Sequence, residues 1–162
     1  MGALLYVDTS ALLDRVFGQK NHTAIAAAMR EQAAREGPTV ASRLLHLQAR
    51  RAYVRERLAG HDVAALAILA AEIRPLPLTN EVWAEADAIE QHAKALDAIH
   101  LATCKLVGGT LLATDSNMVR VARSMGLEVH PASEPGWLMS TAQATTRNVK
   151  RWRDEGEMRR RW

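Results

Sequence analysis

Asp8, Asp97 and Asp115 are the residues of this chain whose type and placement could do chemistry together. Asp8 closes the apolar run from Ala3 to Val7, Asp97 opens the segment Ala98–Ala102, and Asp115 closes Thr110–Thr114. In an open parallel sheet, ligands bind beyond the carboxyl ends of the strands. Carboxylates collected there suit a hard divalent cation such as Mg²⁺ or Mn²⁺, which takes oxygen ligands and keeps positions for water and substrate phosphate. Such an ion orients an attacking water and neutralises charge on a phosphoryl transition state. Crowded without an ion, the same acids repel one another, and part of the set has its pKa raised.

The elements that must carry these residues alternate between short β runs and longer helical ones. Leu4–Val7 reads as a strand, and Thr9 or Ser10 can cap a helix reaching Phe17. A helix is expected from His22 to Glu36, a short strand at 39–41, and a helix capped by Ser42 that reaches Leu58. Val63–Glu72 is the next helix. Residues 73–78 are extended, because Pro75 and Pro77 exclude a helix and favour a sheet edge. Thr79 caps a helix expected from Asn80 to Lys94, and Asp97 begins one ending at Gly108-Gly109. Strand 110–114 leads into helix 117–125, and 127–130 is a final strand. This rhythm predicts a three-layer α/β/α domain around a central parallel sheet.

At 162 residues and 48% hydrophobic content, the chain suits one domain with a substantial core. The division expected is a domain over residues 1–135 and a basic, Trp- and Arg-rich tail over 136–162. Residues 147–162 carry net charge +4 and residues 1–146 carry −1, so the overall +3 belongs to the tail. Trp137, Trp152 and Trp162 lie among its arginines, where they could stack on RNA bases or dock on a partner. Cys104 is the single cysteine, and Asp8 interrupts the first apolar run before it could form a signal-peptide core; both point to a cytoplasmic protein. The apolar stretch 63–71 is about half a membrane span.

Three segments together carry a family resemblance: 6–13 (YVDTSALL), 96–102 (LDAIHLA) and 112–115 (LATD). Over roughly residues 3–133 the chain resembles the PIN-domain ribonucleases, with its closest likeness to the VapC toxins of bacterial toxin–antitoxin pairs. That resemblance implies a PIN-like fold, a four-acid site binding Mg²⁺ or Mn²⁺, and endonucleolytic cleavage of structured RNA such as tRNA or rRNA. It also implies a homodimer and inhibition by a VapB-type antitoxin. Asp8, Asp97 and Asp115 match three of the four acids. Gln48 stands where VapC-like proteins carry a glutamate. It shares a helical stripe with Leu44, Leu45 and Ala52 and so points inward. Lacking the negative charge, it is expected to weaken or abolish turnover while leaving the architecture intact.

Each site residue has a plainer alternative. Asp8 and Asp97 could be helix caps, Asp115 a turn residue and Gln48 a satisfied core amide. Thr9, Ser10 and Thr114 could hold metal-bound water or phosphate, or simply cap. His100, one turn beyond Asp97, could touch substrate or be a packed histidine; Asn117 could assist the metal or its water. Five arginines crowd the helix after the second strand (Arg43, Arg50, Arg51, Arg55, Arg57), where they could contact RNA phosphates or simply face solvent. Trp83 reads as core or dimer interface. Two other functions compete. One is an inactive PIN-fold module that binds antitoxin or RNA, favoured by Gln48. The other is an Asp phosphoacceptor, which would want a second Asp at position 10, where Ser10 stands.

Overall fold

The computed structural model of the protein describes residues 4–134. Four short strands, β1 (Leu5–Val7), β2 (Thr39–Ser42), β3 (Arg74–Leu76) and β4 (Thr110–Leu112), form one parallel sheet in the order β3-β2-β1-β4. From β1 the chain steps to β2 and β3 through α1 (Thr9–Phe17) and α2 (His22–Ala34), then α3 (Arg43–Leu58) and α4 (Ala64–Glu72). It then returns through α5 (Asn80–Asp87) and α6 (Ala95–Val107) to place β4 on the other side of β1, and ends in α7 (Ser116–Ser124). The strand order therefore reverses between β1 and β4, and that switch point is where an open α/β sheet offers a crevice.

Alternation along the strands makes the two core layers. Leu5, Val7, Ala41 and Leu112 face one way, onto Leu12, Ile25, Leu45 and Leu66 of α1 to α4. Tyr6, Val40, Leu111 and Ala113 face the other way, onto Leu101 and Cys104 of α6 and Met118, Val121 and Ala122 of α7. Period-2 strands covered by helices on both faces give the three-layer α/β/α arrangement. Pro75 sits on β3, an edge strand, where its missing N–H costs little. Gly108 ends α6 in the left-handed region at φ 62°. A Cβ on the adjacent Gly109 would lie 3.2 Å from that of Tyr6, so both glycines serve the tight entry into β4. No helix among the described residues is long and apolar enough to cross a membrane.

Several boundaries differ from the sequence reading. The helix expected from Asn80 to Lys94 stops at Asp87, because Ile89 and Ala93 turn down onto the core beside α6 and α7 and pull the chain off the helix axis. The next helix starts at Ala95 after an extended Lys94, so Asp97 lies within its first turn and does not cap it. Residues 127–130 make one parallel bridge, Leu111 to Val129, and form no full strand. The Leu111 and His130 amides bond to Glu128 and Leu111 carbonyls, both at 2.8 Å, and Pro131 then opens a 3₁₀ turn that ends the pairing. Trp83 is half exposed and is not core. The tail expected over 136–162, with Trp137, Trp152 and Trp162, lies outside the described residues.

Candidate active site

The C-terminal ends of β1 and β4 are tied together residue by residue. Val7 pairs with Leu112, and the Asp8 amide donates to the Leu112 carbonyl at 2.9 Å. The Ser10 hydroxyl oxygen then accepts the amides of Thr114 at 3.0 Å and Asp115 at 3.3 Å. Ser10 is thus the stitch that sets Asp115 beside Asp8. Asp8 is buried and caps α1, its Oδ2 accepting the Ser10 amide at 2.9 Å. Asp115 caps α7, its Oδ1 accepting the Met118 amide at 2.8 Å. Capping and ligation do not exclude each other here, because each carboxylate spends one oxygen on its helix and keeps another.

Asp97 enters from α6. Its carboxyl pKa is raised, first by burial and then by the negative charges of Asp8 and Asp115, with Lys94 opposing the shift. Mutual repulsion of this kind shows that the three aspartates share one electrostatic neighbourhood. No described residue donates a hydrogen bond to Asp97.

Behind the acids runs a buried polar network. The Ser42 amide donates to the Tyr6 hydroxyl oxygen at 3.1 Å, and that hydroxyl meets His100 Nδ1 at 3.0 Å. On the other edge of the ring, Nε2 lies 2.9 Å from Gln48 Oε1 and 3.5 Å from Asp8 Oδ1. Thr9 donates its hydroxyl to the same Gln48 Oε1 at 2.6 Å. Burial lowers the pKa of His100 despite the Asp8 charge, and burial drives that of the Tyr6 hydroxyl far up.

Of the residues singled out from sequence, Asp8, Thr9, Ser10, Gln48, Asp97, His100, Thr114 and Asp115 come together at this end of the sheet. Thr114 contributes a backbone amide. Asn117 does not join them: its amide nitrogen donates to the His92 carbonyl at 3.4 Å and its oxygen accepts from Arg120 at 2.7 Å. Sequence reasoning assigned Tyr6 no role of its own and marked Ser42 as the cap of α3, where the Ser42 side chain makes no cap hydrogen bond. A tyrosine inside an apolar strand was the available signal, since a buried hydroxyl needs a partner. A separate apolar trough of about 550 Å³ lies between α3 and α4, lined by Ala49, Tyr53, Leu66 and Ala70.

A PIN domain family model matches residues 5–124, a span holding all three aspartates and Gln48. The chain belongs to the PIN domain family. No curated protein matches it. PIN domains are generally metal-dependent nucleases, and the donor set here fits a hard divalent cation, since an ion among Asp8, Asp97 and Asp115 would relieve the repulsion that raises the pKa of Asp97. Among the described residues no group of three or more His, Cys, Asp or Glu side chains could hold a metal ion. This PIN domain would therefore supply one or two carboxylates directly and leave the remaining positions to water and phosphate oxygens, the way Mg²⁺ is ordinarily held.

Proposed function

We propose that the protein is a metal-dependent endoribonuclease toxin of a type II toxin–antitoxin pair, of the VapC type, with turnover weakened or abolished by Gln48. The observation that carries the nuclease reading is the electrostatic coupling of Asp97 to Asp8 and Asp115 at the switch point of a PIN-type sheet. One or two of Asp8, Asp97 and Asp115 would bind Mg²⁺ or Mn²⁺ directly and the rest through its water, and the ion, when bound, supplies activation of water and neutralisation of phosphate charge. The chain's own part is positioning. Ser10 fixes Asp115 against Asp8, and the caps of α1 and α7 fix both carboxylates. Attack of water on an RNA phosphodiester then leaves a 3′-hydroxyl and a 5′-phosphate.

Gln48 brings an amide where the resemblance expects a carboxylate, so the site carries one negative charge fewer than a four-acid site. The same residue supports a second reading, an inactive module that binds antitoxin or RNA without cutting. The substrate proposed is structured RNA, tRNA or rRNA, and the partners are a VapB-type antitoxin and a second copy of the chain in a cytoplasmic setting. Exposed Arg43, Arg50, Arg51 and Arg57 on α3 are available for RNA phosphates.

The test is cleavage of a total tRNA pool in Mg²⁺ or Mn²⁺ by the wild type, by Gln48→Glu and by Gln48→Glu with Asp97→Asn. Cutting that is greatest in Gln48→Glu and disappears with Asp97→Asn supports the four-acid site. No cutting by any of them, with the fold intact and metal bound, moves the binding module ahead.

A further inference from the structure

The Tyr6–His100–Gln48 network has a direction that follows from donors and acceptors alone. The Tyr6 oxygen accepts the Ser42 amide and its hydrogen has His100 Nδ1 at 3.0 Å as an acceptor, while Ser42 Oγ, 3.4 Å from the same Nδ1, can donate to it as well. An Nδ1 that accepts requires the hydrogen on Nε2. Nε2 faces Gln48 Oε1 at 2.9 Å, with Asp8 Oδ1 and Thr9 Oγ1 each at 3.5 Å; the Thr9 hydrogen goes to Gln48 Oε1, so a hydrogen on Nε2 makes all three contacts attractive. The opposite tautomer would set a lone pair against Gln48 Oε1 and Asp8 Oδ1 and turn the Tyr6 hydrogen away from Nδ1. Gln48 Oε1 thus receives two hydrogens, one from His100 and one from Thr9. With the ring in this tautomer, flipping the Gln48 amide would set its NH₂ against the Nε2 hydrogen. Its NH₂ donates to no described residue, and the only buried side-chain polar atom without a partner among the described residues is His46 Nδ1, so the Gln48 NH₂ reaches solvent.

We propose that His100 is a positioning residue which, held in its Nε2–H form by Tyr6, clamps Gln48 Oε1 together with Thr9 and so presents the Gln48 NH₂ as a hydrogen-bond donor to an RNA phosphate oxygen. The phosphate role rests on the ribonuclease reading above; the clamp does not. In this arrangement position 48 contributes to holding substrate. A glutamate there would accept the same two hydrogens but offer the phosphate an anionic oxygen.

Two measurements separate the halves. Long-range ¹H–¹⁵N correlation spectra of the RNA-free protein report the His100 tautomer: Nε2–H in the wild type, with the other form appearing in Tyr6→Phe, is the expected result. An Nδ1–H ring in the wild type overturns the clamp. Binding of a tRNA pool in EDTA then tests the phosphate role. Gln48→Ala, Gln48→Glu and His100→Phe should each bind about tenfold more weakly than wild type, the value of one hydrogen bond to a charged group. Gln48→Ala combined with His100→Phe should lose no more than either alone. His100→Gln, which keeps a donor at the Nε2 position, should recover the affinity, and that recovery shows that lost folding did not cause the drop. Unchanged affinity in Gln48→Ala, or additive losses in the double variant, overturns the phosphate role. A wild type that binds no RNA in EDTA overturns the phosphate role, while cleavage by Gln48→Glu in Mn²⁺ still decides the ribonuclease reading and the tautomer result the clamp.

Discussion

Asp97 shows how a single carboxylate reports on its neighbours. Its raised pKa means that the metal-free fold works against this charge, so Asp97→Asn should leave the fold intact and raise the melting temperature of the metal-free protein. Partial exposure keeps the gain small, about 1 kcal/mol or less, which is roughly 2–4 °C by differential scanning calorimetry. The same change should cut metal-dependent cleavage in the Gln48→Glu background by about a hundredfold or more. Ser10 behaves in the opposite way. Ser10→Ala strands the Thr114 and Asp115 amides and should cost about 1–3 kcal/mol in urea unfolding, with weaker metal binding because Asp115 is no longer held. Asp8 and Asp115 were legible in the sequence because each follows a strand, Asp97 because it stands at the start of a helix and Gln48 because it sits on an inward helical stripe. The network of Tyr6 and Ser42 was not, because strand periodicity says which face a tyrosine takes but not which distant hydroxyl or imidazole it will meet. Asn117 was misread for a related reason: its spacing from Asp115 is right, yet His92 and Arg120 claim its amide.

At the scale of elements, caps and turns were the readable part. Asp8, Thr79 and Asp115 cap α1, α5 and α7 with their side chains, and Gly18 and Gly108 end α1 and α6 in the left-handed region. What local signals missed was set by packing. The residues after Asp87 have helical composition, but Ile89 and Ala93 gain more by covering the core. Likewise Leu127–His130 has strand composition, yet Pro131 leaves it one bridge. Gly108→Ala forces a Cβ into φ 62° and should destabilise by about 1 kcal/mol in urea unfolding, with no change in spectra of the β1–β4 end. His130 caps the 3₁₀ turn with an acceptor nitrogen, Nδ1 receiving the Ala132 amide at 3.1 Å, and burial lowers its pKa below 6.5. The unfolded chain therefore takes up a proton first as pH falls. Stability is present in full above pH 6.5 and declines as pH drops toward the lower folded pKa. His130→Asn, which keeps an acceptor but does not titrate, should reduce the slope of the unfolding free energy below about pH 6.5 and leave the part that His100, also lowered by burial, contributes.

For the whole molecule, the sheet order matters more than any single helix. Three crossovers place β4 beside β1, and the reversal there brings residues 8, 97 and 115 to one end from three distant parts of the chain. The family match over residues 5–124 agrees with that architecture. A folded domain with an ion site is stabilised by the ion through mass action, about 2.7 kcal/mol at a hundredfold excess over Kd, so the melting temperature should climb with added Mn²⁺. The most direct test of the central claim is calorimetric titration of Mn²⁺ into the wild type, Asp97→Asn and Asp115→Asn, each shown to be folded by circular dichroism. Binding by the wild type that weakens about tenfold or more in both variants is the predicted result. Equal Mn²⁺ binding by all three proteins would contradict the account, because the shared carboxylates would then not be the metal site.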